Sequence, residues 1–439
     1  MAPASLQKSS TLLTPYKLYE GSNAEVTIGH FQLRDVLTCR GEHGVVYYPQ
    51  ERSIVEHDLA TNRPRILTEV AFPLVSLSSL NISETDETLF AAGGFDGEIH
   101  LSVYSNSSSP VDNEESDDPD RFPTLGLGRQ RWRSETIPEA MSYLNNSIIL
   151  YSQGSNTEPR AVVNDNSNTV TFFDVATRAM GETEYTIQDD PADTKATQRL
   201  CEVGELQLDA PVNHSSISPD GRTLLSVGDS QYVYLHQISG SSHVSFTPTS
   251  TLSLSNYHHI RPGAPVIDPA SFSSAFSSDG SKFAVASQEG FVTVWDTRST
   301  RPLKIYQTGK MARSGSAGQK LETPGWSMGG GCQWSARNVK FSPAGARREV
   351  MVFTEHTSLF HVVDARTFET VETFCVPDFE DNGNGNTHLD KNVDGDHIVG
   401  PVASPSEQDI AGMCIDPAGE LVYVAATNGI STWKVTGSD

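Results

Sequence analysis

Thr354, Glu355 and His356, followed shortly by Asp364 and Arg366, put two carboxylates, an imidazole and a guanidinium into one short segment. Two chemistries suit these groups. Carboxylates can hold a free α-ammonium by charge-assisted hydrogen bonds, with an aromatic such as Trp334 walling the side chain next to it. The same Asp and His can instead satisfy turn amides and stabilise a sheet, with Arg366 pairing to Glu355 or Asp364. Residue types alone leave both open, because neither works unless the fold makes the groups converge.

Other motifs point away from metal and phosphate chemistry. Residues 390–396 (DKNVDGD) match the start of a calcium loop, with carboxylates at alternate positions and Gly at the sharp turn. The match stops at His397, where an apolar residue is due, and at Pro401, where the bidentate Glu is due. His258 and His259 are adjacent and have no Cys or carboxylate at zinc-ligand spacing. The glycines at 329–331 are not followed by Lys-Ser or Lys-Thr, so they are no phosphate cradle. There is no His-Glu-x-x-His. The expectation is a non-catalytic chain with no cofactor and no metal site. Catalysis would need residues from several distant segments to meet in a central channel.

The elements that must position these residues repeat along the chain. Residues 272–298 read FSSAFSSDGSKFAVASQEGFVTVWDTR. That is a short apolar strand, a Ser-Asp-Gly turn, a small-residue strand, a Gly turn and an alternating strand closed by Asp. Three strands of a four-stranded propeller blade follow the same order. Related copies occupy 44–61, 82–104, 147–178, 217–238, 341–366 and 415–435, making seven units. Pro, then Asp or Ala, then Gly at 219–221, 343–345 and 417–419 supplies the φ values of a tight turn. One blade cannot bury both faces, and a closed ring protects the edges that a sandwich would leave. The fold class is therefore all-β: a seven-bladed, WD-repeat-like β-propeller with long inter-strand insertions.

The expected organisation is an N-terminal tail at 1–24, a propeller over 25–436 and a C-terminal tail at 437–439. Residues 26–37 (VTIGHFQLRDVL) are expected to add a strand beside 430–435 and close the ring. Insertions are expected at 105–123, 181–205, 239–269, 309–336 and 376–408. The first is acidic and rich in Ser and Pro, and reads as a disordered surface loop. The last is rich in Asn, Asp and Gly.

Charge narrows the partners. Fifty-five Asp and Glu oppose 31 Lys and Arg, a net of −24, which disfavours nucleic acid and anionic membrane. No run of 18 apolar residues suggests a membrane span, and the first residues lack a signal-peptide core. Five scattered cysteines, an odd number, suggest reduced thiols and a cytoplasmic, also nuclear, location.

Two resemblances sharpen the expectation. Residues 338–376 carry FSP at 341–343, VFTEH at 352–356 and HVVDARTF at 361–368. The segment resembles the signature of a fungal WD-repeat family long labelled a domain of unknown function. That family includes a yeast substrate receptor of the GID (glucose-induced degradation) E3 ubiquitin ligase. The resemblance implies a receptor that recruits proteins through N-terminal degrons, with the ligase scaffold and substrate N-termini as partners. It also implies a ligase dock on the tail after Trp433. Separately, Trp295, Asp296, Thr297 and Arg298 resemble the WD-x-Arg box of cullin-4 ligase receptors, which implies adaptor docking through Trp295, Asp296 and Arg298. The structural reading of the same box packs the Trp between sheets and ends the strand with the Asp. The third alternative is a general scaffold subunit of another intracellular complex.

Overall fold

Middle strands of the repeats are apolar on both faces, so each sheet must be covered from both sides. Val350–Glu355 and Leu421–Ala426 are buried at every residue, whereas the outer strand Arg63–Glu69 is mostly exposed. In the computed structural model seven blades stand around one axis, each with four antiparallel strands from the centre outward; six are built from consecutive strands, and the seventh takes its outermost strand from residues 13–15. The structure describes residues 12–16, 22–41, 43–82, 84–106, 126–138, 142–152, 158–177, 199–257, 268–308, 334–377, 379, 398–399 and 408–437. Among them there is no helix, hence none long and apolar enough to cross a membrane.

Blade 1 comprises Thr38–Cys39, Val45–Gln50, Ser53–Asp58 and Arg63–Glu69. Blades 2 to 5 start with the innermost strands Ser76–Ile82, Asn145–Tyr151, Val212–Ile217 and Ser271–Phe276. Blade 6 holds Ala336–Phe341, Val350–Glu355, Leu359–Asp364 and Val371–Cys375. Blade 7 holds Ile410–Ile415, Leu421–Ala426 and Gly429–Val435. The third strands end where the repeats placed them, at Asp58, Asp296 and Asp364 among others. Every junction between neighbouring blades carries its own apolar cluster. One of them joins blades 6 and 7 through Phe360, Phe374 and Trp433; another joins blades 4 and 5 through Leu225, Val285 and Trp295. A ring of such junctions has no open sheet face left to bury.

Closure differs from expectation in one respect. The strand that completes blade 7 is Leu13–Pro15, with Leu13 opposite Val435 and Pro15 opposite Trp433, and Ser22–Asn23 adds a second short pairing. This strand lies in the stretch assigned to an N-terminal tail. It is three residues long and ends in Pro, which an edge strand tolerates, so it carries little periodic signal. Residues 26–37 form no strand. The amide of Val26 donates to Thr427 O and that of Thr27 to Pro49 O, so this segment crosses from blade 7 to blade 1. It then descends the channel beside Ile410–Ile415. Gly412 permits that approach: a Cβ there would lie 3.0 Å from Arg34 O and 3.1 Å from the amides of Val36 and Leu37.

Two stretches read as insertions also contain outer strands. Leu200–Gln207 begins inside 181–205, and Ser245–Ser253 falls inside 239–269. Polar, half-exposed outer strands look like loops in sequence because only one side meets a neighbour. Ile398–Val399 runs parallel to Val371–Cys375 within 376–408. Most of the acidic 105–123 stretch, the 390–396 loop, His258 and His259, and the glycines at 329–331 lie outside the described residues.

Candidate functional site

We call upper the end of the ring that carries the turns between second and third strands and the crossings between blades. The lower end carries the remaining turns. Glu355 closes its strand at the upper end, while Asp364, opposite Val350, closes the next strand at the lower end. Five residue steps of about 3.4 Å separate them, so about 17 Å lies between the two carboxylates. The candidate residues therefore do not form one receptor.

Each has a local role. Glu355 is fully buried and its Oε1 lies 2.7 Å from His361 Nε2. His361 Nδ1 meets Thr373 Oγ1 at 2.9 Å, and its ring stacks on Phe353 at 4.5 Å. This relay ties the second, third and fourth strands of blade 6 together. Asp364 Oδ1 accepts the amides of Arg366 and Thr367 at 3.0 and 3.2 Å, so it caps a turn. Arg366 is exposed and its Nε lies 3.8 Å from Glu349 rather than beside Glu355 or Asp364. The sheet-stabilising alternative thus describes Glu355 and Asp364.

Trp295 also serves packing. It is fully buried and stacks on Phe283 at 5.2 Å. Asp296 accepts from Arg298 Nε at 2.9 Å and Nη2 at 2.7 Å. Of the three adaptor-docking candidates only Arg298 is exposed, on the lower face.

His356 and Trp334 are at the upper face. Arg337 Nε donates to His356 Nδ1 at 3.1 Å, and the ring's other nitrogen is Nε2. That nitrogen lies 3.3 Å from Arg34 Nη2 and 3.6 Å from Asp409 Oδ1. Arg34 approaches Asp409 at 3.5 Å and Arg337 lies over the Phe272 ring at 4.6 Å. Trp334 is half-buried beside the turn at Gly290, where a Cβ would sit 3.0 Å from its Cδ1. Next to Gly290, Glu289 is buried and its Oε2 has no hydrogen-bond partner; burial raises its carboxyl above the usual range. Sequence reasoning missed Glu289, although its turn position in the clearest repeat was a usable signal.

Below this mouth the central channel holds a cavity of about 440 Å³ lined by the innermost strands and by Arg34 and Asp35. Lys340 Nζ lies 2.7 Å from Asp35 Oδ1, Asn338 Nδ2 donates to the same oxygen at 3.0 Å, and His214 Nε2 is 3.9 Å from Oδ2. Asp35 thereby fastens the descending segment to blades 4 and 6. Burial works to raise the Asp35 carboxyl, but the charges of Lys340 and His214 and the hydrogen bonds outweigh it and hold it below the ordinary value. Burial lowers His214 to about 4 against a weaker pull from Asp35. At the mouth, burial and the charges of Arg337 and Arg34 lower His30 to about 4.

A pH dependence follows. Between pH 6.5 and about 4 the unfolded chain protonates both histidines while the folded chain keeps them neutral. Their contribution is complete above about 6.5 and is lost as pH falls toward 4. Denaturation midpoints measured from pH 7 to 4 should fall less steeply for a His30→Gln/His214→Gln variant than for the parent chain. Parallel curves would count against this account.

Charge is distributed unevenly between the two faces. Glu25, Glu51, Asp96, Asp209, Asp229 and Asp268 are exposed at the upper end. Among the described residues the only exposed Lys or Arg there is Arg52. The lower end carries exposed Arg63, Arg222, Arg298, Arg301, Arg347 and Arg366 among its acids. Among the described residues, exposed carboxylates thus outnumber exposed basic groups at the upper mouth. No group of three or more metal-ligating side chains occurs among the described residues.

Comparison with known proteins supports the architecture. A family described as an uncharacterised protein domain (DUF2415) matches residues 335–374, the innermost to outermost strands of blade 6. An uncharacterised protein of Schizosaccharomyces pombe, C4G3.03, is 24% identical over 294 residues, which is 66% of this chain and 63% of that protein. The alignment thus spans less than two thirds of the relative's length. A chain in the crystal structure of the mitotic checkpoint complex superposes with a TM-score of 0.55 at 12% identity, over 99% of this chain and 95% of that one. The fold is a WD-repeat-like seven-bladed propeller with a distant, uncharacterised relative.

Proposed function

We propose that this propeller is a non-catalytic recruiting subunit that presents protein substrates to a GID-type E3 ubiquitin ligase, binding them on its upper face. The supporting observation is the one-sided charge: six exposed carboxylates against one exposed arginine among the described residues of that face. Such a surface attracts segments that carry positive charge, and the α-ammonium of a free N-terminus is one. The ligase assignment rests on the resemblance carried by blade 6, which the match over 335–374 overlaps. A neighbour that is part of a multiprotein assembly fits protein partners for this chain as well. The amine-binding role moves from Glu355 and Asp364, which the sheet consumes, to the upper rim around Asp409, Trp334 and His356. We assign the protein to the cytoplasm, and also the nucleus, on the same reading.

Affinity purification of the tagged chain followed by mass spectrometry tests the ligase role. Recovery of GID-type subunits is expected. Recovery of the cullin-4 adaptor instead would transfer docking to Arg298 on the lower face, and a different stable partner set would leave a scaffold. In parallel, peptides with free N-termini should bind at least tenfold more tightly than their acetylated forms. Equal binding would remove N-terminal recognition from the reading.

A further inference from the structure

Eight large apolar side chains are exposed among the described residues, and they are not spread evenly. Phe31, Phe95, Ile137 and Tyr143, exposed by 36, 39, 58 and 57%, belong to one upper sector. Phe31 comes from the segment that arches over the mouth. Phe95 lies in the blade 2 turn that follows Glu87–Gly93. Ile137 and Tyr143 flank the crossing from blade 2 to blade 3. Contacts make them neighbours. The His30 ring lies 4.5 Å from Phe31 and 6.2 Å from Phe95. A Cβ at Gly97 in the same turn would touch Ser142 Oγ at 2.6 Å and Pro138 Cγ at 3.4 Å, so the turn is seated on the crossing.

Scattered apolar residues on a surface are ordinary, but a group from three separate segments is not. The backbone here is also fixed for presentation. Gly97 has φ +81°, and Gly94 N donates to Glu98 O at 2.9 Å, which holds the Phe95 turn in one shape. Asp96 N donates to Glu98 Oε2 at 2.7 Å, and the Asp96 side chain is exposed beside Phe95. His30 is neutral at physiological pH and adds no positive charge.

We propose that Phe31, Phe95, Ile137 and Tyr143 with Asp96 form a docking site for a protein segment whose apolar anchors are flanked by lysine or arginine. This rests on the recruiting function above and names the chemistry of the recruited segment. The choice of occupant follows from charge. An acidic rim disfavours a second copy of this face and an anionic membrane by like-charge repulsion, whereas a basic flank gains from every carboxylate nearby. Aromatic and aliphatic anchors supply the area that exposed ion pairs alone do not.

The test uses the purified full-length chain and a displayed library of random 12-residue peptides. Selected peptides should be enriched in aromatic or leucine-type residues next to Lys or Arg. The affinity of the best peptide, read by fluorescence anisotropy, should fall at least tenfold for Phe31→Ser/Phe95→Ser and about fivefold for Asp96→Lys. It should also weaken with added salt, and a lower-face Arg222→Glu control should bind as the parent does. Melting temperatures are compared to separate lost binding from lost folding. Since Phe31 lies on the arch, Tyr143→Ser on the crossing provides a second variant. Selected peptides that are acidic, or that bind the patch variants as tightly as the parent, overturn the docking site while the recruiting role stands. A chain that selects no peptide and recovers no stable partner from cells overturns both.

Discussion

Leu12→Ala with Leu13→Ala is expected to remove most of the stability of the ring. Both side chains are buried, at 0 and 1% exposure, in the cluster that joins blade 7 to blade 6. Each buried Leu→Ala change costs about 2–5 kcal/mol, and a domain has only about 5–15 kcal/mol in total. The pair also anchors the closing strand. Leu12 N donates to Glu372 Oε2 at 2.7 Å, Thr436 N donates to Leu12 O at 3.0 Å, and Leu13 pairs with Val435. A loosened strand would expose the free edge of Gly429–Val435, so association at higher protein concentration should accompany the loss. Guanidinium denaturation of the variant, beside an exposed Ile66→Ala control, measures it. A loss under about 1 kcal/mol would show that the ring is closed by other contacts.

The second large effect concerns Glu355. Its removal leaves His361 without its partner inside the blade, and breaking a buried pair on one side costs about 3–5 kcal/mol. Glu355→Ala should therefore lower the melting temperature sharply, whereas Glu355→Gln, which keeps an acceptor for the imidazole, should recover part of it. Affinity for upper-face peptides, measured where the variant is still folded, should stay near the parent value. The reverse pattern, an unchanged melting temperature with lost binding, would return Glu355 to a ligand-binding role. Burial decides the expectation. An acceptor that is fully buried and bonded to His361 within the sheet is not offered to a partner.

These two predictions also mark where the sequence alone succeeds and where it stops. Val292 and Val294, and Phe360 and Val362, alternate with a period of two, and that period depends only on strand geometry, so their burial was legible. The Asp-Gly turns were legible for the same local reason: Gly221 and Gly280 have φ near +70°, a conformation set within four residues. Leu13–Pro15 was not legible, since three residues give no period and their partner lies some 420 positions away. Nor was the descent of residues 26–37. The segment has the apolar content of a strand, but that content is satisfied by the channel wall and by Gly412 rather than by a ladder.

The candidate site divides in the same way. Sequence nominated Glu355, His356, Asp364, Arg366 and Trp334 by residue type and nearness along one blade. A strand with its two ends about 17 Å apart assigned them to opposite faces. The acidic upper face and its aromatic sector draw on turns from nearly every blade, so no window of sequence displays them.

By itself the sequence determined the repeat, the strand order within a blade, the number of blades and the excess of negative charge. All of these are sums or short-range periods along the chain. Only the tertiary structure decided which strand closes the ring, which carboxylates are spent inside sheets and which face outward with Phe31 and Phe95. Those outcomes depend on where distant segments meet, and in a closed ring that is fixed by packing between neighbouring blades.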